Sequence, residues 1–224
     1  MGSLCLYYDM IHFSLFGIPV RIEPWFWITL AFIGSAAGRG HPLGVFMVLV
    51  FILAGFVSIL VHELGHAFTI RKYGLPTAIS LIAFGGFASY PADVLSRKQS
   101  FLVTAAGPAI QIVLGVLAIA ALFVLPMPPE SLLRYFLIYL AWVSIVWAIL
   151  NCLPIYPMDG GQMLAAVLGP KRQKYVYLIG VFCAVFIGAM GYLVLNAWLL
   201  LIFMGFFAWK NWMDFQQSHQ AGNK

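Results

Sequence analysis

Apolar positions in this chain come in long unbroken runs. They do not follow the two-residue alternation of half-buried strands or the one-sided stripe of soluble helices. Leu43 to Val61 is nineteen residues without a charge, and Phe101 to Leu125 and Tyr135 to Leu153 are equally clean. Each comes close to or exceeds the length of about 20 apolar residues that a membrane-crossing helix needs. Pro24 to Gly38 is apolar but shorter, so a helix there must extend into its flanks. Tyr175 to Trp209 carries no charge at all. One straight helix of that length would measure about 52 Å against a bilayer core of about 30 Å, so a division near Asn196 into two short spans is expected. The pattern predicts six helices, at about 24-38, 43-70, 101-125, 135-153, 175-195 and 197-212.

Two stretches interrupt this helical pattern. Phe13 to Glu23, FSLFGIPVRIE, is rich in β-branched and aromatic residues and broken by Gly17 and Pro19, which reads as a short hairpin. Leu75 to Pro91 is apolar, yet too interrupted by Gly85-Gly86 and its prolines for a helix. A re-entrant hairpin is expected there. Lipid cannot satisfy strand edges, so such a segment must be covered by protein or line a wet cavity. The fold class is therefore an α-helical polytopic membrane protein with about six spans and a small membrane-associated β region.

Composition agrees. Of 224 residues, 63% are hydrophobic and 8% charged, against about 25% charged in ordinary soluble domains. No linker or repeat divides the chain, so residues 1–224 are expected to form a single domain. The net charge of +5 is dispersed and excludes a nucleic-acid partner. Cys5, Cys152 and Cys183 match neither a disulfide framework nor a thiolate zinc site. The opening residues lack the basic stretch of a signal peptide and a Ser or Thr at the sixth position for myristoylation. Insertion is expected from the first spanning helices.

Charge placement orients the helices. With the N-terminus cytoplasmic, Arg21, Arg71, Lys72, Arg97, Lys98, Lys171, Arg172, Lys174, Lys210 and Lys224 fall on that side, and only Arg39 and Arg134 on the other. That is a decisive positive-inside bias, and it puts both termini on the cytoplasmic side. The membrane surface then lies just after Ile70, and Glu63 about 12 Å inward from Arg71 along the helix.

This depth makes "SILVHELGHAFTI", Ser58 to Ile70, the most informative segment. His62 and His66 are four apart and project from one helix face. Two neutral imidazoles there can share Zn²⁺, and Glu63 can reach a water on the ion. Coincidence is the plain alternative for three fixed positions. Ionisable groups inside a bilayer are nevertheless costly and default to function.

A catalytic zinc site wants three protein ligands and an open position. Asp9, Glu23, Asp93, Glu130 and Asp214 sit at span ends or beside basic residues, where a solvated role suffices. Asp159 differs, because it lies in "NCLPIYPMDGGQ", Asn151 to Gln162, where Pro154 and Pro157 forbid a regular helix. It is read as the third ligand, with an N-cap to a short helix starting near Gly160 as the alternative.

HELGH in the second span together with N-x-x-P-x-x-P-x-D-G after the fourth resembles the site-2 protease family of intramembrane zinc metalloproteases. The likeness covers about Phe13 to Ala166. Ala105 to Gln111, AAGPAIQ, resembles the family's Gly-Pro element, although the family usually has Asn where this chain has Gln111. No segment is long or polar enough for the PDZ or CBS domain that the family often adds, so a bare catalytic core is expected. The resemblance implies His62, His66 and Asp159 as zinc ligands and Glu63 as the catalytic carboxylate, moving a proton from water to the leaving amine. Asn151 would donate to the developing oxyanion, or else satisfy backbone freed around Pro154. The 75–91 hairpin, through Gly85, Gly86 and Phe87, would hold the unwound substrate as an added strand.

The implied function is regulated intramembrane proteolysis, with a transmembrane protein substrate and the bilayer as partners and the active site open to the cytoplasmic side. A regulatory membrane partner or a homo-oligomer fits equally. A membrane zinc transporter is one rival reading, but it needs no Glu between the histidines. An inactive scaffold that binds membrane segments is another, and it needs no complete ligand set. A third places the last ligand of a metalloprotease elsewhere than Asp159.

Overall fold

The computed structural model describes residues 10–36, 38, 43–91 and 94–221. Cys5, Asp9, Arg39, Asp93 and Lys224, which entered the reading above, lie outside them, as does the N-terminal stretch read for targeting signals. Strands β1 (Ile11–Leu15) and β2 (Ile18–Ile22) precede helices α1 (Pro24–Gly34) and α2 (Gly44–Lys72). Strands β3 (Ala78–Ile82) and β4 (Gly85–Ser89) follow, then α3 (Arg97–Val124), α4 (Leu132–Asn151), α5 (Asp159–Leu168), α6 (Gln173–Leu195) and α7 (Trp198–Ala221).

Among the described residues, four segments are long and apolar enough to cross a membrane: α2, α3, α4, and Pro170–Leu195, which is α6 with the short 3₁₀ turn before it. Helix α1 is apolar but has only eleven residues. The chain is thus a mostly helical protein with four candidate spans and a four-stranded sheet. Its contacts group it into two compact units, 1–92 with 106–148, and 93–105 with 149–224.

The first unit is organised by the sheet. Both expected hairpins form, and β2 pairs with β3 in parallel, giving the order β1-β2-β3-β4. The β1–β2 turn uses Phe16 and Gly17, both at positive φ (53° and 72°), as a two-residue hairpin turn that follows strand twist requires. Alternation along β2 buries Ile18, Val20 and Ile22 and leaves Pro19 and Arg21 exposed. With Ile79 and Leu81 of β3 they pack on Phe26 and Leu30 of α1 and on Ile59, Leu60, Leu64 and Ala67 of α2. Arg71, at the end of α2, donates to the carbonyl of Phe16 at 2.6 Å, tying the hairpin turn to that helix. Farther along, Ala54 of α2 packs with Ala118 of α3 and Leu140 and Ala141 of α4.

The second unit holds the break expected in the long apolar run. Asn196, in the left-handed region at φ 51°, ends α6, and the amides of Asn196 and Ala197 bond back to Tyr192 and Gly191. Residues Gly180, Ala184, Gly188 and Gly191 of α6 are buried. A Cβ on Gly188 would stand 3.0 Å from that of Met204, and one on Gly191 2.5 Å from Leu200 Cδ2. Small residues let these helices approach closely, as in other apolar helix pairs.

Candidate metal centre and edge strand

In the first unit, His62, Glu63 and His66 lie within two adjacent turns of α2 and are 4%, 3% and 8% exposed. Burial this deep is costly for such groups unless they are neutral, partnered or bound to a metal. The Nε2 atoms of His62 and His66 face one another at 3.0 Å, with the rings nearly perpendicular. Two nitrogens each about 2.0–2.1 Å from a zinc ion cannot stand more than about 4.2 Å apart. The observed separation lies inside that limit, so these residues fit a shared ion.

Helix α3 passes the histidines through its glycine. A Cβ on Gly107 would collide with His66 Nε2 and stand 2.9 Å from His62 Nε2. On α2, a Cβ on Gly65 would meet the Ala106 carbonyl oxygen at 2.6 Å. The Gly of HELGH and the Gly of AAGP therefore mark one close crossing. Gln111, one turn further along α3, is fully buried. Its Oε1 lies 2.9 Å from His62 Nδ1, and its Nε2 donates to Ser58 Oγ at 2.9 Å. Ser58 Oγ in turn lies 2.9 Å from Ser144 Oγ on α4.

The sheet reaches the same place. β4 is an end strand, paired with β3 from Ala78↔Ser89 to Ile82↔Gly85. A Cβ on Gly86 would fall 2.7 Å from Glu63 Cγ and 2.8 Å from its Oε1. Gly85 is buried at φ 132°, with Trp147 beside it, and Phe87 is 49% exposed.

In the second unit, Asn151 is the last residue of α4 and Asp159 the first of α5. Between them run Pro154 and a cis Tyr156-Pro157 bond. The N-cap of α5 is Met158, so Asp159 is not the cap; its carboxylate sits in the first turn, a favourable end of the helix dipole. Gly160 and Gly161 are needed because a Cβ on either would run into loop backbone, at Cys152 and Leu153 or at Ile155 and Tyr156. The loop is held from α7, where buried Asn211 donates to the carbonyls of Tyr156 (2.5 Å) and Phe207 (2.8 Å). Gln162 of α5 donates to Pro157 at 2.9 Å.

His62, His66 and Asp159 are each buried, and two imidazoles and a carboxylate are donor types that a zinc ion takes. The first unit thus brings His62, Glu63, His66 and Gly86 together, while Asn151 and Asp159 flank the proline loop of the second. Gln111's contact with His62 and the roles of Ser58, Ser144 and Asn211 were not foreseen. A polar residue inside each otherwise apolar run was the available signal.

The structure aligns with the site-2 protease of Methanocaldococcus jannaschii at a TM-score of 0.64, covering 92% of this chain and 95% of that one at 24% identity. That likeness shows the fold. A zinc metalloprotease of the same organism is 30% identical over 205 residues, which is 87% of this chain and 57% of that protein. A relative in Synechocystis is 29% identical over 168 residues and is spanned for 43% of its length. Rip2 of Mycobacterium tuberculosis is 29% identical over 177 residues, 66% of this chain and 68% of Rip2. The chain therefore spans about half the length of the first two. The model of peptidase family M50 matches residues 50–130 and 126–195, and with HELGH and the MDGG segment inside those matches, the chain belongs to that family, the site-2 proteases.

Proposed function

We propose that the protein is a zinc-dependent intramembrane endopeptidase that hydrolyses peptide bonds within or near transmembrane segments of membrane proteins. The observation that carries this reading is the pair of facing Nε2 atoms at 3.0 Å with buried Glu63 between the two histidines in sequence. His62, His66 and Asp159 would hold the ion, which would supply Lewis acidity at the scissile carbonyl and the attacking water.

Glu63 takes a proton from the attacking water and returns it to the leaving amine. Asn151 donates its side-chain amide to the developing oxyanion. An unwound substrate adds to the outer edge of β4 along Gly85, Gly86 and Phe87, bonded through its main chain. Contact between Gly86 and Glu63 supports this, because the carboxylate then lies beside the edge where the peptide would run.

The six-span arrangement belongs to the same proposal, with α1 and the apolar part of α7 joining the four candidate spans. Both chain ends and the opening of the site lie on the cytoplasmic side, a reading supported by the ten-to-two distribution of Lys and Arg. The substrate is a membrane-spanning protein reached within the bilayer. Residues 1–224 act as one catalytic domain.

Co-expression with single-span membrane proteins tests the reading. The wild type cleaves at least one of them and Glu63→Gln cleaves none, while both purify with one zinc per chain. A wild type without zinc at neutral pH, or a Glu63→Gln protein as active as wild type, would sink it.

A further inference from the structure

Four polar side chains from three helices make a continuous buried chain in the first unit: Ser144 on α4, Ser58 and His62 on α2, and Gln111 on α3. Ser144, Ser58 and Gln111 are fully buried and His62 is 4% exposed. Successive links are Ser144 Oγ to Ser58 Oγ, Ser58 Oγ to Gln111 Nε2, and Gln111 Oε1 to His62 Nδ1, each 2.9 Å.

The direction of the last link follows from the one before it. An amide nitrogen only donates and an amide oxygen only accepts. The Ser58 carbonyl, which can only accept, lies 3.5 Å from Gln111 Nε2, and the same nitrogen donates to Ser58 Oγ at 2.9 Å. The Gln111 oxygen therefore faces the ring, and the Nδ1 of His62 must carry the proton.

We propose that Gln111 is a positioning residue whose amide oxygen accepts the Nδ1 proton of His62, fixing the tautomer and ring plane in which Nε2 carries the lone pair for the metal. The inference rests on the zinc reading above and deepens it. A neutral imidazole has one N–H and one lone pair, and the partner of the N–H decides which nitrogen can bind a metal. Ligating histidines commonly have such a partner, and losing it costs about 10–100-fold in metal affinity. The Ser58 carbonyl opposes a flipped amide, which would turn oxygen toward oxygen, and Ser144 gives the Ser58 hydroxyl a second partner. A merely structural chain of interhelical hydrogen bonds would also tie α2, α3 and α4 together. It would not matter to that role which way the Gln111 amide points.

Zinc affinity, measured by competition with a chromophoric chelator on the full chain in detergent, separates the two. Gln111→Leu, which fills the volume but has no acceptor, is expected to bind zinc about 10–100-fold more weakly. Gln111→Glu restores an acceptor and is expected to bind at least as tightly as wild type. The ¹⁵N spectrum of His62 in the zinc-free protein should show a protonated Nδ1 in wild type and Gln111→Glu, and a tautomer mixture in Gln111→Leu.

Equal zinc affinity in Gln111→Leu and wild type would overturn the proposal, as would failure of Gln111→Glu to recover it. If Gln111→Leu does not fold, Gln111→Met decides. Its unbranched side chain is similar in length but has no amide oxygen, so weaker zinc binding supports the positioning role and unchanged binding overturns it. A wild type that binds no zinc would overturn instead the reading on which the proposal rests, and the two failures are distinguishable by that first measurement.

Discussion

Gly86 of the edge strand lies directly against Glu63 of α2, with room for a hydrogen but not for a methyl group: a Cβ there would stand 2.7 Å from Glu63 Cγ. Gly86→Ala is therefore expected to push the carboxylate aside or to lift β4. Displacements near 1 Å at a reacting group cost about 100-fold. Cleavage should fall by about 10–100-fold with zinc content unchanged. Measuring both on one preparation checks it, and full activity in Gly86→Ala would count against the placement of the substrate edge.

Glu63→Gln keeps the shape of the side chain and removes the carboxylate that the proposed function uses as proton acceptor. Loss of a general base costs about 10²–10⁴-fold in rate. A zinc transporter would keep its flux after the same change, so a flux assay beside a cleavage assay tells the two readings apart.

At the crossing of α2 and α3, Gly65 meets the Ala106 carbonyl oxygen and Gly107 meets both imidazoles. Overpacking of this kind costs about 1–3 kcal/mol. Gly65→Ala should lower thermal stability by that order, because backbone must move. Gly107→Ala should in addition weaken zinc retention, since what it meets first is a ring nitrogen of His66. Thermal unfolding with and without added zinc separates the two effects.

Asn211 is far along the chain from any expected site residue, yet it holds the Tyr156 carbonyl of the proline loop. Asn211→Leu would leave that carbonyl without this donor and would crowd Gly180, whose Cβ position already falls against the Asn211 side chain. A lost hydrogen bond that strands a buried partner costs about 1–3 kcal/mol. A lower unfolding temperature is expected. If the loop also carries the third ligand, zinc should exchange faster in Asn211→Leu than in wild type.

Asp159→Ala tests the ligand set itself. A zinc site reduced from three protein ligands to two should lose its ion on dialysis against a mild chelator, whereas Asn151→Ala should keep zinc and lose rate. Elemental analysis after dialysis reads both. Retained zinc in Asp159→Ala would move the third ligand elsewhere.

How much of this was legible beforehand follows from the range of each interaction. The spacing of His62 and His66 is local, and a helix converts it into a shared face with no tertiary information. Both hairpins were visible because Gly17 sits in the first turn and the Gly85-Gly86 pair interrupts the second apolar stretch, although that turn is Ala83-Phe84 and the glycines begin β4. Likewise, Asn196 marked the end of α6. The parallel pairing of β2 with β3 was not visible, because it joins residues about sixty positions apart and depends on how α1 and α2 fold back between them.

Gln111 stood out only as a departure from the family pattern; what it touches is decided by the crossing of α2 and α3. The cap of α5 also escaped the sequence reading, which allowed Asp159 as the cap where Met158 takes that place.

The salt-bridge-free link between Arg71 and the carbonyl of Phe16 has a consequence for selectivity. It fastens the first hairpin to the same helix that carries Glu63, while Gly86 seats the last strand on Glu63 itself. Sheet and carboxylate are thereby held to one helix, and on the proposed function a peptide added to that sheet would meet the carboxylate at a fixed count of residues along its strand. Such an enzyme would work as a ruler, discriminating by how far along the substrate the backbone can be drawn out straight.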